Sequence, residues 1–406
     1  MMRTRIDDLI LYDGKGGRQE AACVLFDEKG IVAAGRGLKD AQAETVIDGK
    51  GLTCTPGWVQ GHTHIAVDGL PNMQAQVMRD DTEAAVMASA ARNSLRCLKS
   101  GLVAVRDMGT NFDVSIKLRD AINAGKLLGP RVYASGRVLC MTGGHGYYFG
   151  IEVDGADEAR KAARAQIKRG ADLLKIMATG GGQSKGMKAG VPQLSYEEIR
   201  AIVEEAHHAG IHTAAHAQGK EGVMNCLRAG VDSIEHGVTL DDEQIELMLK
   251  QGTYFCPTLM ALWYVIEKGE ASGIPPYVVE KCKIQAITHF DGFTAAYKAG
   301  VKVIAGTDAG TPFNYQDDMA SEFIKMHELG MSVKDVIVSA TRTPAEAFGV
   351  ADRTGTIEPG KWADLTLIEG DPEADLEAFR RVKMVFKGGQ LVYSNENGKD
   401  VFLPVL

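Results

Sequence analysis

Between residues 56 and 350, short apolar β-branched runs alternate with longer stretches of helical spacing, and this alternation restricts the fold more than any other feature. The runs that read as strands are TPGWVQGHTH, GLVAVRD, RVYASG, ADLLKIM, IHTAAHA, VDSIEHG, TYFCPT and VKVIAGTD, eight in all. Helices fit between them. In SYEEIRAIVEEAHHAG, Ser195 is placed as an N-cap, Glu198 follows three residues on to complete a capping box, and Gly210 stops the helix. Eight such units predict an α/β protein built on a (β/α)8 TIM barrel over residues 56–350, in preference to an open doubly wound sheet.

The two ends of the chain read differently. DDLILYDGKGG, AACVLFDEKGIVAAG and TVIDGKG near the start, and TGTIEPGKWADLTLIEGDP and VKMVFKGGQLVY near the end, are short alternating runs broken by Gly and Pro turns. Residues 1–55 and 351–406 are therefore expected to form one small β-sandwich domain beside the barrel.

A formal charge of −8 and the lack of any Lys/Arg-rich block argue against nucleic acid or an anionic membrane as a partner. A small-molecule substrate fits better. The chain has no apolar run of transmembrane length, and acidic residues interrupt its start where a signal peptide needs an unbroken apolar stretch. Seven scattered cysteines without a CxxC indicate neither a disulfide framework nor a zinc finger. A reducing, cytoplasmic location is the expectation.

In a barrel of this kind the active site lies at the C-terminal ends of the strands. Six side chains that are, or can become, metal ligands fall there: His62 and His64 on the first strand, Lys175 on the fourth, His216 on the fifth, His236 on the sixth and Asp308 on the eighth. The i, i+2 spacing of His62 and His64 points both imidazoles to one side of an extended chain. Imidazole and carboxylate suit zinc and neighbouring divalent metals, so the set predicts a metal site.

HTH, the strand-end lysine, the two later histidines and the aspartate of GTDAG resemble the amidohydrolase superfamily along almost the whole chain. SIEHG, CPTL, GTDAG and GGHG are similar to its imidazolonepropionase-like branch, which includes binuclear-zinc dipeptidases acting on Xaa-Pro and other Xaa-Xaa substrates. The resemblance implies two divalent ions, with His62, His64 and Asp308 on the more buried one, His216 and His236 on the other, and a carboxylated Lys175 bridging them. It implies hydrolysis of a C–N amide bond by a metal-bridging hydroxide, dipeptidase- or prolidase-like, on small L-amino-acid amides. Asp308 would act as general base and then general acid. His145, in GGHGYYFG, and Tyr254, on the seventh strand, are the candidates for binding substrate and polarising its carbonyl. Relatives are often homo-oligomers.

Other readings share the scaffold. A mononuclear deaminase is disfavoured because Gly219 stands three residues after His216, where such enzymes carry glutamate. A cyclic-amide hydrolase of imidazolonepropionase type is disfavoured mainly by Lys175. Urea and carbamate hydrolases also use this framework, whereas a non-catalytic assembly protein would be expected to lose ligands. The glycine-rich ATGGGQSKGM lacks the Gly before Lys185 that a phosphate loop needs, and Lys185 and Lys188 read as solvated loop charges. His207, His208, His289 and His327 read as surface or helix-end residues, and His212 as the start of a strand.

Overall fold

The structure is a computed structural model describing residues 2–182, 188–274 and 276–403, the side chain of Tyr277 excepted. The N-terminal region supplies β1 (Thr4–Tyr12), β2 (Arg18–Asp27), β3 (Gly30–Gly35), β4 (Thr45–Asp48) and β5 (Leu52–Pro56). β1, β2 and β3 follow as antiparallel neighbours, and β1 also takes β4 and β5 alongside it in parallel.

The barrel strands are β6 (Trp58–Thr63), β7 (Leu102–Asp107), β8 (Arg131–Ala134), β9 (Val138–Cys140), β10 (Gly150–Glu152), β11 (Leu173–Met177), β12 (His212–Ala217), β13 (Ser233–His236) and β14 (Tyr254–Cys256). Every pairing among them is parallel. Strands covered on both faces read as continuous apolar runs, which is why the sequence signal is strong here. β6, β7 and β8 make one arc; β10, β9, β11, β12, β13 and β14 make the other. β8 and β9 lie in succession at the third position, and the arcs meet there: Asp172 N donates to Ala134 O at 2.8 Å and Thr110 N to Gly136 O at 2.9 Å.

The eighth predicted strand, VKVIAGTD, closes the ring without forming a regular ladder. Ile304 N donates to Phe255 O at 2.8 Å on one side, while Gly61 N donates to Ala305 O and Asp308 N to His62 O, both at 2.9 Å, on the other. Gly306 runs so close to its neighbours that a Cβ there would lie 2.6 Å from Cys256 Sγ and 2.7 Å from His62 N, so the position takes only glycine without a shift. Asp308 then turns into the left-handed region, at φ 62°.

The helix Tyr196–His208 begins as its sequence dictates: Ser195 Oγ accepts from Glu198 N, and the Glu198 carboxylate accepts from Ser195 N. Two helices after β14, Leu259–Lys268 and Pro276–Ala299, wall the mouth of the barrel.

The C-terminal strands are β15 (Leu365–Glu369), β16 (Val382–Lys387), β17 (Gln390–Glu396) and β18 (Lys399–Phe402). β15 pairs antiparallel with β5, Thr366 opposite Thr55, so both chain ends share one sheet in the order β18-β17-β16-β15-β5-β1-β2-β3 with β4 beside β1. Ile6, Phe26 and Cys54 from one end pack with Leu365, Leu367 and Phe386 from the other in a single apolar core, with the Phe26 and Phe386 rings edge to face at 5.0 Å. This is the small β-sandwich beside the barrel. Trp58, Phe323 and Phe379 lock the two units together through edge-to-face contacts at 5.1 to 5.9 Å. Among the described residues no helix is long and apolar enough to cross a membrane.

Candidate metal centre and active site

The strand ends deliver His62, His64, Lys175, His216, His236 and Asp308 into one buried cluster, none more than 7% exposed. The His62 and His64 rings lie 5.8 Å apart, His62 and His236 5.0 Å, and His216 and His236 4.5 Å. His236 and Asp308 both have left-handed backbone, with φ of 69° and 62°. That conformation costs a non-glycine residue about 1–3 kcal/mol, a cost tolerated mostly at functional sites.

Three of the imidazoles are oriented by their Nδ1 atoms. His62 Nδ1 meets Glu235 Oε2 at 2.7 Å, His64 Nδ1 meets Gly109 O at 3.2 Å, and His236 Nδ1 meets Thr258 Oγ1 at 2.7 Å. A carbonyl or carboxylate only accepts, and the Thr258 hydroxyl donates onward to Pro257 O, so each Nδ1 carries the proton. Each Nε2 is left with a lone pair. Glu235 is itself held by Arg106, whose Nη2 contacts both carboxylate oxygens at 2.9 and 3.0 Å, and by Ser233 Oγ at 2.6 Å.

The donor set fits divalent metal. Nε2 of His62 and of His64 lie 3.3 and 3.4 Å from Asp308 Oδ1, with no hydrogen to link lone pair to lone pair. Such a grouping is repulsive until a cation is placed among the three atoms, which all fall within 4.8 Å of one another. Lys175 Nζ, His216 Nε2 and Asp308 Oδ1 are buried without hydrogen-bond partners among the described residues. Burial, with nearby positive charge, holds the His62, His216 and His236 imidazoles well below their ordinary range, so they stay neutral. Burial also brings the Lys175 ammonium down to about 8, against the opposing pull of Glu235 and Asp308.

The cluster forms the floor of a cavity of about 640 Å³. His145 lines it, its ring 4.4 Å from that of His216, its backbone N–H bonded to Gln193 Oε1 at 2.8 Å, and burial lowers it to about 3. Tyr148, Phe149, Met177 and Thr311 line other parts.

Two expectations need correction. Tyr254 is the first residue of β14, at the end of the barrel away from the cavity, where Lys302 Nζ lies 5.6 Å from its ring centre. The sequence locates it on the right strand; the end of the strand it occupies rules it out as a substrate ligand. His289 is not a surface residue: it is 1% exposed and lines the cavity from the helix Pro276–Ala299. His207 and His327 do sit at helix ends, bonded to Asp232 and to the Met331 carbonyl. Lys185 lies outside the described residues, and Lys188 is exposed.

Arg106, Glu235 and Thr258 were not singled out from sequence. A charged residue within an otherwise apolar strand, as in VAVRD and SIEHG, is the signal that marks the first two. Glu322 is another. Its carboxyl group accepts from Leu259 N and Met260 N at 2.9 and 3.0 Å, fixing the helix that follows Thr258, and burial pushes it up to about 8.

Residues 53–392 match the amidohydrolase family. The chain belongs to that family. An ochratoxinase of Aspergillus niger is 33% identical over 338 residues, covering 75% of this chain and 68% of the relative. Among solved structures, a Xaa-Pro dipeptidase with bound methionine has a TM-score of 0.88 at 35% identity, covering 96% of this chain and 99% of that one. A prolidase complexed with N-methylphosphonate-L-proline has a TM-score of 0.88 at 28% identity, with 96% and 99% covered. This amidohydrolase is accordingly an enzyme acting on carbon–nitrogen bonds.

Proposed function

We propose that the enzyme hydrolyses the amide bond of a small L-amino-acid amide, as a dipeptidase of Xaa-Pro or related type, with two divalent ions, most simply zinc. The carrying observation is the convergence of His62 Nε2, His64 Nε2 and Asp308 Oδ1 within 4.8 Å of one another, an arrangement that a divalent cation among them would stabilise. His62, His64 and Asp308 would hold one ion and His216 and His236 the other. Lys175 would join them as a carbamate: its neutral amine forms an N–C bond to CO₂ and releases one proton, turning a repelling ammonium into an anionic bridge. The bound metals would supply an activated water and a Lewis acid for the scissile carbonyl.

The chain's own residues perform the rest. The Asp308 carboxylate accepts the proton of the attacking water and returns it to the departing nitrogen. His145, neutral because it is buried and lining the same cavity, would donate an N–H to the carbonyl oxygen as negative charge develops there. Glu235, through Nδ1 of His62, keeps that imidazole in the tautomer whose Nε2 faces inward.

Metal analysis of the purified protein, followed by turnover assays over dipeptides and N-acyl amino acids, tests the proposal. The expected result is about two ions per chain and cleavage of members of that library. Trace metal, or an inert library together with opening of cyclic ureides or imidazolone, would overturn it.

A further inference from the structure

The helix Pro276–Ala299 turns a narrow polar stripe toward the substrate cavity. Lys281, Gln285 and His289 are spaced i, i+4, i+8, which puts them on one face over about 12 Å of helix. Lys281 and His289 line the cavity, and Gln285 Oε1 lies 4.0 Å from the point where a Cβ on Gly182, another lining residue, would stand. The helix's other side carries Ile284 and Ile287, 64% and 66% exposed, so its orientation is unambiguous.

The two ends of the stripe differ. At the inner end His289 is buried, and neither ring nitrogen closes a hydrogen bond of good geometry, although the carbonyls of Pro257 and His236 lie nearby. A buried imidazole with unmet hydrogen bonds beside an open cavity is suited to a ligand. At the outer end Lys281 is exposed, and among the described residues no carboxylate lies within ion-pair distance of it. Lys283, two residues on, instead pairs with Glu280 at 3.5 Å and Glu270 at 4.0 Å. Next to the stripe, Leu262, Val265, Ile274 and Val278 make an apolar wall. Asp308 is the one carboxylate among the described lining residues, and it belongs to the metal cluster, so the outer cavity carries unbalanced positive charge.

We propose that this stripe selects the substrate: Lys281 pairs with a carboxylate, His289 hydrogen bonds to a polar group closer to the scissile amide, and the apolar wall takes a bulky aliphatic or aromatic side chain. The proposal rests on the amide-hydrolase reading of the same cavity and narrows its substrates to anionic, apolar amides.

The test compares N-benzoyl-L-leucine with N-benzoyl-L-leucinol, its neutral counterpart, on metal-loaded wild-type, Lys281→Met, Lys283→Met and His289→Gln proteins. Binding by calorimetry and kcat/KM are measured for each. Wild type should prefer the acid, Lys281→Met should lower the acid-to-alcohol preference about tenfold, mainly through Kd or KM, and Lys283→Met should retain it. His289→Gln should weaken both ligands. Lys281-dependent binding, with neither compound nor any member of the dipeptide and N-acyl amino-acid library turned over, would support the stripe and overturn the amide-hydrolase reading. An unchanged preference in Lys281→Met, or no binding of the acid by wild type, would overturn the stripe.

Discussion

His62 Nδ1 and Glu235 Oε2 lie 2.7 Å apart, and neither side chain is more than 1% exposed. The carboxylate forces the proton onto Nδ1 and so aims the Nε2 lone pair at Asp308. Glu235→Gln keeps the shape but offers an amide that can turn its NH₂ toward the ring. Metal affinity or activity should fall about 10- to 100-fold, measured by competitive chelation and steady-state kinetics, with helical content preserved.

On the proposed mechanism, Asp308→Asn removes both a ligand charge and the proton acceptor. kcat should fall about 10²- to 10⁴-fold with a smaller change in KM, and metal analysis at saturating zinc separates the two causes.

Metal removal should abolish turnover, and zinc together with bicarbonate should restore it faster than zinc alone, because the carbamate proposed for Lys175 would need CO₂. Lys175→Met should retain at most one tightly held ion per chain by elemental analysis.

Gly181 lies under the His145 imidazole: a Cβ at that position would fall on the ring, well inside contact distance. Gly181→Ala should displace His145 and reduce kcat/KM about 10- to 100-fold.

Acid should destabilise the metal-free protein. His62, His216 and His236 stay neutral well below the 6.5 of a solvated imidazole, and His289 falls to about 4. Below pH 6.5 the unfolded chain therefore binds protons that the folded chain refuses, and stability falls as pH drops. Calorimetry between pH 8 and pH 4.5 should show the melting temperature declining below about 6.5, with a shallower decline in His289→Asn.

Much of the barrel is legible in the sequence because doubly covered parallel strands must be apolar throughout, and their ends are where a histidine or aspartate stands out. His62, His64, His216 and His236 are visible for that reason. Tyr254 misleads because it opens its strand: in a parallel barrel the first residue of a strand stands at the end away from the cavity, whatever its chemistry. His289 misleads differently: helical spacing identifies its element, but only the tertiary position of that helix over the barrel mouth turns a helix-surface histidine into a cavity wall. The close approach at Gly306 is invisible in VKVIAGTD because the crowding atoms belong to Cys256 and His62, residues distant in sequence.

The pairing of β5 with β15 also orders events during synthesis. β5 runs through Gly57 straight into the strand that bears His62, yet one of its two neighbours in the sheet, β15, is more than three hundred residues downstream of it, the other being β1. The strand that carries His62 therefore follows one whose second edge is covered only after nearly all of the polypeptide has emerged from the ribosome. A nascent chain stopped short of Leu365 would expose a bare β5 edge beside a half-anchored histidine pair, an invitation to aggregation that a folding cell must manage.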